Sequence, residues 1–299
     1  MQERTPKANI PVVILCGGQG TRLREETERI PKPLVDIGGR PILWHLMKLY
    51  GHYGLGRFIL ALGYKGWQIK EYVLRYREHL TDFTVRLKEE HAPEFHNDLG
   101  VEDWEITCAE TGSATLTGAR IRRVRDYIHT PTFMLTYGDG LADIDLDRLL
   151  DFHYEQGRIG TVTGIHPTSR YGEIRVEGQR VVEFNEKPTA PGGWVSGGFF
   201  VFQREFFDYL NDDPGLVFEW EPLRQLARDG QLSVFPHKGF WMGMDTYREY
   251  LLLNELWQTH KAPWKLWSDL EDDPSHDEAG LSADGLSEAR SRTPWGRGE

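Results

Sequence analysis

The 299-residue chain has little cysteine, no excess of positive charge and no long apolar run. Its two cysteines, Cys16 and Cys108, both sit in apolar, strand-like surroundings. Neither a disulfide framework nor a zinc site is expected from them. The stretch "HAPEFH" offers two histidines without partner cysteines and reads as a surface loop. A net charge of −11 argues against a nucleic-acid or anionic-membrane partner. That charge is uneven. Residues 268–299 hold nine acidic residues against three arginines, a net of −6, which leaves about −5 for the rest. No stretch approaches the roughly 20 apolar residues of a membrane span. The first residues, with Glu3 and a short apolar run, do not read as a signal peptide. A cytoplasmic protein is expected, with no nucleic-acid and no membrane partner.

What is present is an alternation. "NIPVVILCGG", "RFILALGY", "WEITCAETG" and "TFMLTYGDG" read as buried strands. Between and after them, "PILWHLMKLYGHYG", "GWQIKEYVLRYREHL", "ARIRRVRDYI" and "DLDRLLDFHYEQG" carry helical spacing. This rhythm predicts an α/β fold with a mostly parallel central sheet. After Gly157 the segments shorten. "GTVTGIHP", "GEIRVEG", "RVVEFNEKP" and "GGFFVF" read as added antiparallel hairpins, and "REFFDYL", "EPLRQLARDG" and "TYREYLLLNELWQTH" as helices. From Ser268 onward the composition is acidic, without apolar periodicity, and predicts a disordered tail.

Ligands of parallel α/β sheets bind at the carboxyl ends of strands, so the loop "LCGGQGTRL" after the first strand comes first. Gly17, Gly18 and Gly20 leave room for a ligand, and successive amides at a helix start form an anion nest. Glycines alone fit a plain turn equally well. A P-loop is absent, and a dinucleotide fingerprint starting at Gly18 fails because Leu23 stands where it needs Gly or Ala. Thr21-Arg22 tips the reading toward phosphate, because a guanidinium beside an amide nest suits a polyphosphate. Lys32, in "PKP", is presented on a restricted backbone, though a surface lysine would look the same. Asp139 in "YGDG" and Asp245 in "GMDT" are either turn caps or the one or two carboxylates that hold magnesium together with substrate phosphates.

"LCGGQGTRL" followed by "RIPKPLVDIGGRPILWH" resembles the sugar-1-phosphate nucleotidyltransferases over about residues 10–267. Within them, "ALGYKGWQIKEY", "YGDGLADID", "GFWMGMDT" and "KAPWK" look like the glucose-1-phosphate cytidylyltransferase family. The resemblance implies a Rossmann-like nucleotidyltransferase fold. Its nucleotide-binding part would cover about 10–157 and its sugar-binding part about 158–267. It implies a reaction in which CTP and glucose 1-phosphate give CDP-glucose and pyrophosphate, with Mg2+ as cofactor. A homo-oligomer is expected too, and a role in deoxysugar precursors of cell-surface glycans. Residue by residue, it implies Arg22, Lys32 and Lys187 as catalytic groups. Leu15, Gly17, Gly18, Gly20, Thr21, Thr115, Arg120 and Gly138 join Arg22 and Lys32 around the nucleotide. Tyr171, Gly172, Glu186, Lys187 and Ser196 would hold the sugar phosphate, and Asp139 and Asp245 the metal. Cys16 replaces the usual Ala, a small change. Ser196 stands where several relatives carry Asn, so sugar recognition differs there in reach and in hydrogen-bond groups.

Base choice rests on "ETGSATLTGARIRR". An arginine can donate to the O2 or N3 of cytosine, whereas the N3–H of uracil would oppose it. Thr115 and Arg120 are the candidates; Arg122, Arg123 and Arg125 read as a basic exposed face. The same chemistry with dTTP, UTP or another sugar phosphate is the nearest alternative. A nucleotide-sensing relative without catalysis is another, but it should have lost Arg22, Lys187 or a carboxylate, and all are present.

Overall fold

The computed structural model describes residues 4–18, 20, 27, 29–88, 92–97, 100–166, 173–177, 180–185 and 193–268. Residues 1–266 form one compact unit. The tail read as disordered lies, but for its first residue, outside the described residues.

Seven strands build the central sheet: β1 (Pro11–Cys16), β2 (Arg57–Leu62), β3 (Glu105–Glu110), β4 (Thr132–Tyr137), β6 (Gly160–Ile165), β9 (Val195–Gln203) and β10 (Leu232–Pro236). A short strand β5 (Gly140–Ala142) follows β4, and a hairpin of β7 (Glu173–Glu177) and β8 (Arg180–Asn185) lies between β6 and β9 in the chain. The spatial order is β10-β6-β9-β4-β1-β2-β3. All neighbours run parallel except β9, which is antiparallel to both β4 and β6. Every residue of β1 is buried, as its unbroken apolar run requires of a central parallel strand.

Helices α1 (Ile42–His52), α2 (Gly66–Leu74), α3 (Tyr76–Leu80), α4 (Thr117–Arg123), α5 (Leu146–Gln156), α6 (Glu221–Arg228) and α7 (Tyr247–Gln258) complete the unit. Asp145 caps α5 by accepting from the Arg148 amide at 2.9 Å, and Gly157 ends it in the left-handed region at φ 60°. One side of the sheet is filled by an aromatic stack. Phe202 and Phe206 lie 3.9 Å apart with Phe133 and Phe207 beside them.

Three expectations need correction. Of the four segments read as added hairpins, β6 and β9 belong to the central sheet, and β7 and β8 form a separate antiparallel pair. "REFFDYL" is a 3-10 turn, Arg204–Tyr209, because Phe206 and Phe207 both turn into the stack. The stretch "GWQIKEYVLRYREHL" breaks at Arg75 into α2 and α3.

Two buried histidines predict an acid sensitivity. His45 Nε2–H donates to the Ile37 carbonyl at 2.8 Å, while Trp264 Nε1–H donates to His45 Nδ1 at 3.3 Å. His153 sits between Thr161 Oγ1 at 2.9 Å and Gln203 Nε2 at 2.7 Å. Burial lowers each pKa from 6.5 to about 4. The unfolded chain therefore binds these two protons first. Stability should fall as pH drops from about 6.5 toward 4, by up to about 1.4 kcal/mol per imidazole per pH unit. Urea unfolding between pH 6.5 and 5 reads this slope, and His153→Gln should remove about half of the two-histidine contribution. A slope unchanged in that variant would contradict the assignment.

Candidate active site

The ends of β1 and β4, the start of α4 and the segment before α7 enclose a cavity of about 470 Å³. Its size suits a small-molecule ligand, and it lies where the carboxyl ends of parallel strands place one. Leu15, Gly17, Gly18 and Gly20 line it from the glycine loop. Lys32, Thr115, Arg120 and Gly138 line it from elsewhere, with Asp139 and Asp245. The cavity thus gathers ten of the residues expected at the nucleotide and metal.

Lys32 is buried, in the 3-10 turn Lys32–Leu34 fixed by the flanking prolines. Its Nζ donates to Asp139 Oδ2 at 2.6 Å and to Asp245 Oδ1 at 3.0 Å. Burial works against the ammonium charge, but the Asp139 and then the Asp245 carboxylate outweigh it, and the pKa is raised. Lys32 is therefore cationic at every physiological pH. Two carboxylates converging on one cationic atom are also a fitting donor set for a divalent cation completed by phosphates. Among the described residues no group of three or more His, Cys, Asp or Glu offers an all-protein cage.

Local pairing explains how two distant aspartates meet. β5 begins directly after Asp139, and β11 (Trp241–Gly243) ends just before Asp245. The two strands are antiparallel with Gly140 opposite Gly243, and the Met244 amide donates to the Asp139 carbonyl at 2.8 Å. Glu249 Oε2 then accepts from the Asp245 and Thr246 amides, both at 2.8 Å, as part of the capping box that starts α7.

Arg120 has a task that its sequence context did not announce. Its Nη1 donates to Leu62 O, Thr111 Oγ1 and Gly112 O at 3.0, 2.7 and 2.8 Å. Its Nη2 donates to Gly17 O at 3.0 Å. The guanidinium braces the glycine loop against the end of β2. A Cβ on Gly17 would stand 2.1 Å from Arg120 Cζ, and one on Gly63 would stand 2.3 Å from Nη1. Gly17 is thus required by the brace, while Gly18 has open space where its side chain would be. Arg123 also does more than decorate a basic face. Its Nη1 donates to Thr111 O at 2.7 Å and Thr115 Oγ1 at 3.0 Å, fixing a cavity-lining hydroxyl. Arg122 pairs with Asp212 at 3.0 Å. Burial, and then the neighbouring Cys108, push the Cys16 thiol up, so Cys16 is a neutral filler rather than a nucleophile.

Ser196 is exposed and lies outside the cavity lining; its Oγ accepts from the Gly198 amide at 3.3 Å. Because β9 runs against the other strands, its start still falls at their carboxyl ends, with Phe199 opposite Thr136. Thr21, Arg22, Tyr171, Gly172, Glu186 and Lys187 lie outside the described residues. Lining residues that the sequence reading did not single out include Thr117 and Tyr137. Both lie inside stretches quoted above, and their hydroxyls meet on the two oxygens of Glu219, which is distant from both in sequence.

A sequence profile described as Nucleotidyl transferase matches residues 11–269. A Bacillus subtilis (strain 168) protein named "Probable glucose-1-phosphate cytidylyltransferase" is 48% identical over 255 residues, 85% of this chain and 99% of its own length. A Salmonella typhi protein named "Glucose-1-phosphate cytidylyltransferase" is 44% identical over 256 residues, 85% of this chain and 98% of its own. Among solved structures, a UDP-glucose pyrophosphorylase complexed with UDP-glucose superposes with a TM-score of 0.61 at 16% identity, covering 84% of this chain and 99% of that one. That last likeness speaks for the fold alone.

Proposed function

The chain belongs to the nucleotidyl transferase family, and from that premise we propose that it transfers the cytidylyl group of CTP to glucose 1-phosphate, giving CDP-glucose and pyrophosphate. The observation that carries the chemistry is the convergence of Lys32, Asp139 and Asp245 beside the glycine loop in one cavity. The substrates come from relatives of nearly full length.

An oxygen of the glucose 1-phosphate group attacks the α-phosphorus of CTP. The new P–O bond forms as the bond to the β-phosphate oxygen breaks, and pyrophosphate leaves with that oxygen. The substrate brings its own nucleophile, so the protein supplies positioning and charge. The glycine loop, with Arg22, holds the departing pyrophosphate. Lys32 meets charge growing near the α-phosphate. Lys187 offsets the repulsion between the approaching anions, with Tyr171, Gly172, Glu186 and Ser196 around the sugar. Asp139 and Asp245 are the residues that would hold magnesium, and the ion would supply positive charge against the phosphates. Thr115 reads the base together with Arg120, which in this role uses the Nε–H and the second Nη2–H of its five donors. In this reading residues up to about 157 serve the nucleotide and 158–267 the sugar. Among the described residues no helix is long and apolar enough to cross a membrane, which is compatible with a cytoplasmic site of action.

The test is a pyrophosphate-release assay crossing CTP, UTP, dTTP, ATP and GTP with several sugar 1-phosphates, with magnesium or with chelator. Release is expected with CTP and glucose 1-phosphate, and its loss in chelator. Equal turnover of UTP or dTTP would refute the base assignment, and unchanged turnover in chelator would refute the metal.

A further inference from the structure

Between Asn211 and Glu221 the chain follows no regular pattern and carries no recognisable motif, yet this stretch touches the cavity wall repeatedly. The Leu116 amide donates to Pro214 O at 2.9 Å, and the Gly118 and Ala119 amides donate to Leu216 O at 2.9 and 3.3 Å. The N-terminal amides of α4 are thereby bonded to protein carbonyls. A Cβ on Gly118 would stand 2.7 Å from Leu216 Cγ, so the two segments are in close apposition. Thr117 Oγ1 accepts from the Phe218 amide at 3.2 Å and donates to Glu219 Oε2 at 2.6 Å. The other carboxylate oxygen, Oε1, accepts from Tyr137 OH at 2.6 Å.

We propose that Glu219 is a positioning and specificity-determining residue. Its carboxylate clamps the base-reading wall, residues 113–117, to the end of β4, the strand that leads into Asp139. The proposal rests on the cytidylyl-transfer reading above. Each oxygen takes one hydroxyl, and Thr117 and Tyr137 both line the cavity. The Tyr137 ring is held in turn by β9: a Cβ on Gly198, which has φ 79°, would stand 2.6 Å from Tyr137 Cδ2. Glu219 therefore fixes the distance between the wall that meets the base and the strand end that meets the phosphates.

The test uses the full chain with Glu219→Gln and Glu219→Ala, and Tyr137→Phe and Thr117→Val as single-bond deletions that retain bulk. Amide exchange of residues 116–119 is read without substrate, and steady-state kinetics with CTP, UTP and glucose 1-phosphate. In Glu219→Ala, exchange at 116–119 is expected to rise and KM for CTP to grow on the order of tenfold. kcat and KM for glucose 1-phosphate should stay within about threefold, and the CTP-over-UTP ratio of kcat/KM should fall. Glu219→Gln should restore part of the ratio. Exchange and ratio both unchanged would overturn the clamp, as would equal losses with both nucleotides and the sugar phosphate. A wild-type chain without CTP preference would instead refute the function, while the exchange measurement would still decide whether Glu219 holds the wall. If Glu219→Ala does not fold, Tyr137→Phe and Thr117→Val carry the same two readouts.

Discussion

Asp139→Asn should lower kcat by a hundredfold or more while leaving the protein folded. Loss of a charge-stabilising group that acts in the transition state costs about 3 kcal/mol or more of barrier. Asn has the same shape, and its Oδ1 can still accept from Lys32, which bonds the present carboxylate at 2.6 Å. The backbone of Asp139 is held independently by the Met244 amide. The variant thus removes one negative charge from the carboxylate pair and little else. Pyrophosphate release at saturating substrates measures the loss, and circular dichroism the retained fold. Turnover within about threefold of wild type would remove Asp139 from the site.

Arg120→Ala should be damaging in two separable ways. Four acceptors on three segments lose the guanidinium at once: Gly17, Leu62 and Gly112 through carbonyls, and Thr111 through its hydroxyl, although Gly17 O keeps the Tyr64 amide and Leu62 O keeps Thr111 as donors. The loss of several hydrogen bonds to one charged donor suggests about 3 kcal/mol of stability. The glycine loop also loses its brace, so KM for CTP should rise by more than about tenfold. Arg120→Lys should rescue little, because a point charge on a flexible stem cannot span a fork of four acceptors. Urea unfolding and nucleotide-dependent kinetics read the two effects. Wild-type stability in Arg120→Ala would contradict the brace. An unchanged CTP-over-UTP preference in the folded variant would remove Arg120 from base recognition.

Much of this molecule was legible in its residues, for reasons that differ by element. β1 was evident because an unbroken apolar run ended by glycines has few other uses. Asp139 and Asp245 were nameable from their short contexts, but nothing local says that β5 and β11 pair and bring them together. Gly17 was read as leaving room for a ligand; in the structure the room it leaves is taken by Arg120. β6 and β9 were misplaced because Gly160, Gly164, Gly197 and Gly198 look like turn punctuation. In the sheet they relieve crowding, with Leu226, Trp194, Ile165 and Tyr137 against them. β10 went unseen because "LSVFP" is short, partly exposed and ends in proline, as an edge strand is free to be. Glu219 had no motif at all. Its meaning comes only from the two hydroxyls that the fold delivers to it.

The reversed strand β9 has a consequence during synthesis. Residues 11–137 contain β1, β2, β3 and β4, four strands that are neighbours in the finished sheet. They can pair as soon as they have left the ribosome. β4 then stands as an uncovered edge carrying Phe133, Met134 and Leu135, and its permanent neighbour is Val195–Gln203. For the time needed to translate the intervening residues, the nascent chain presents an apolar, unpaired edge of the kind that recruits other strands. A slow codon cluster placed before β9 would lengthen that interval, so the gene's translation tempo bears on the yield of native enzyme.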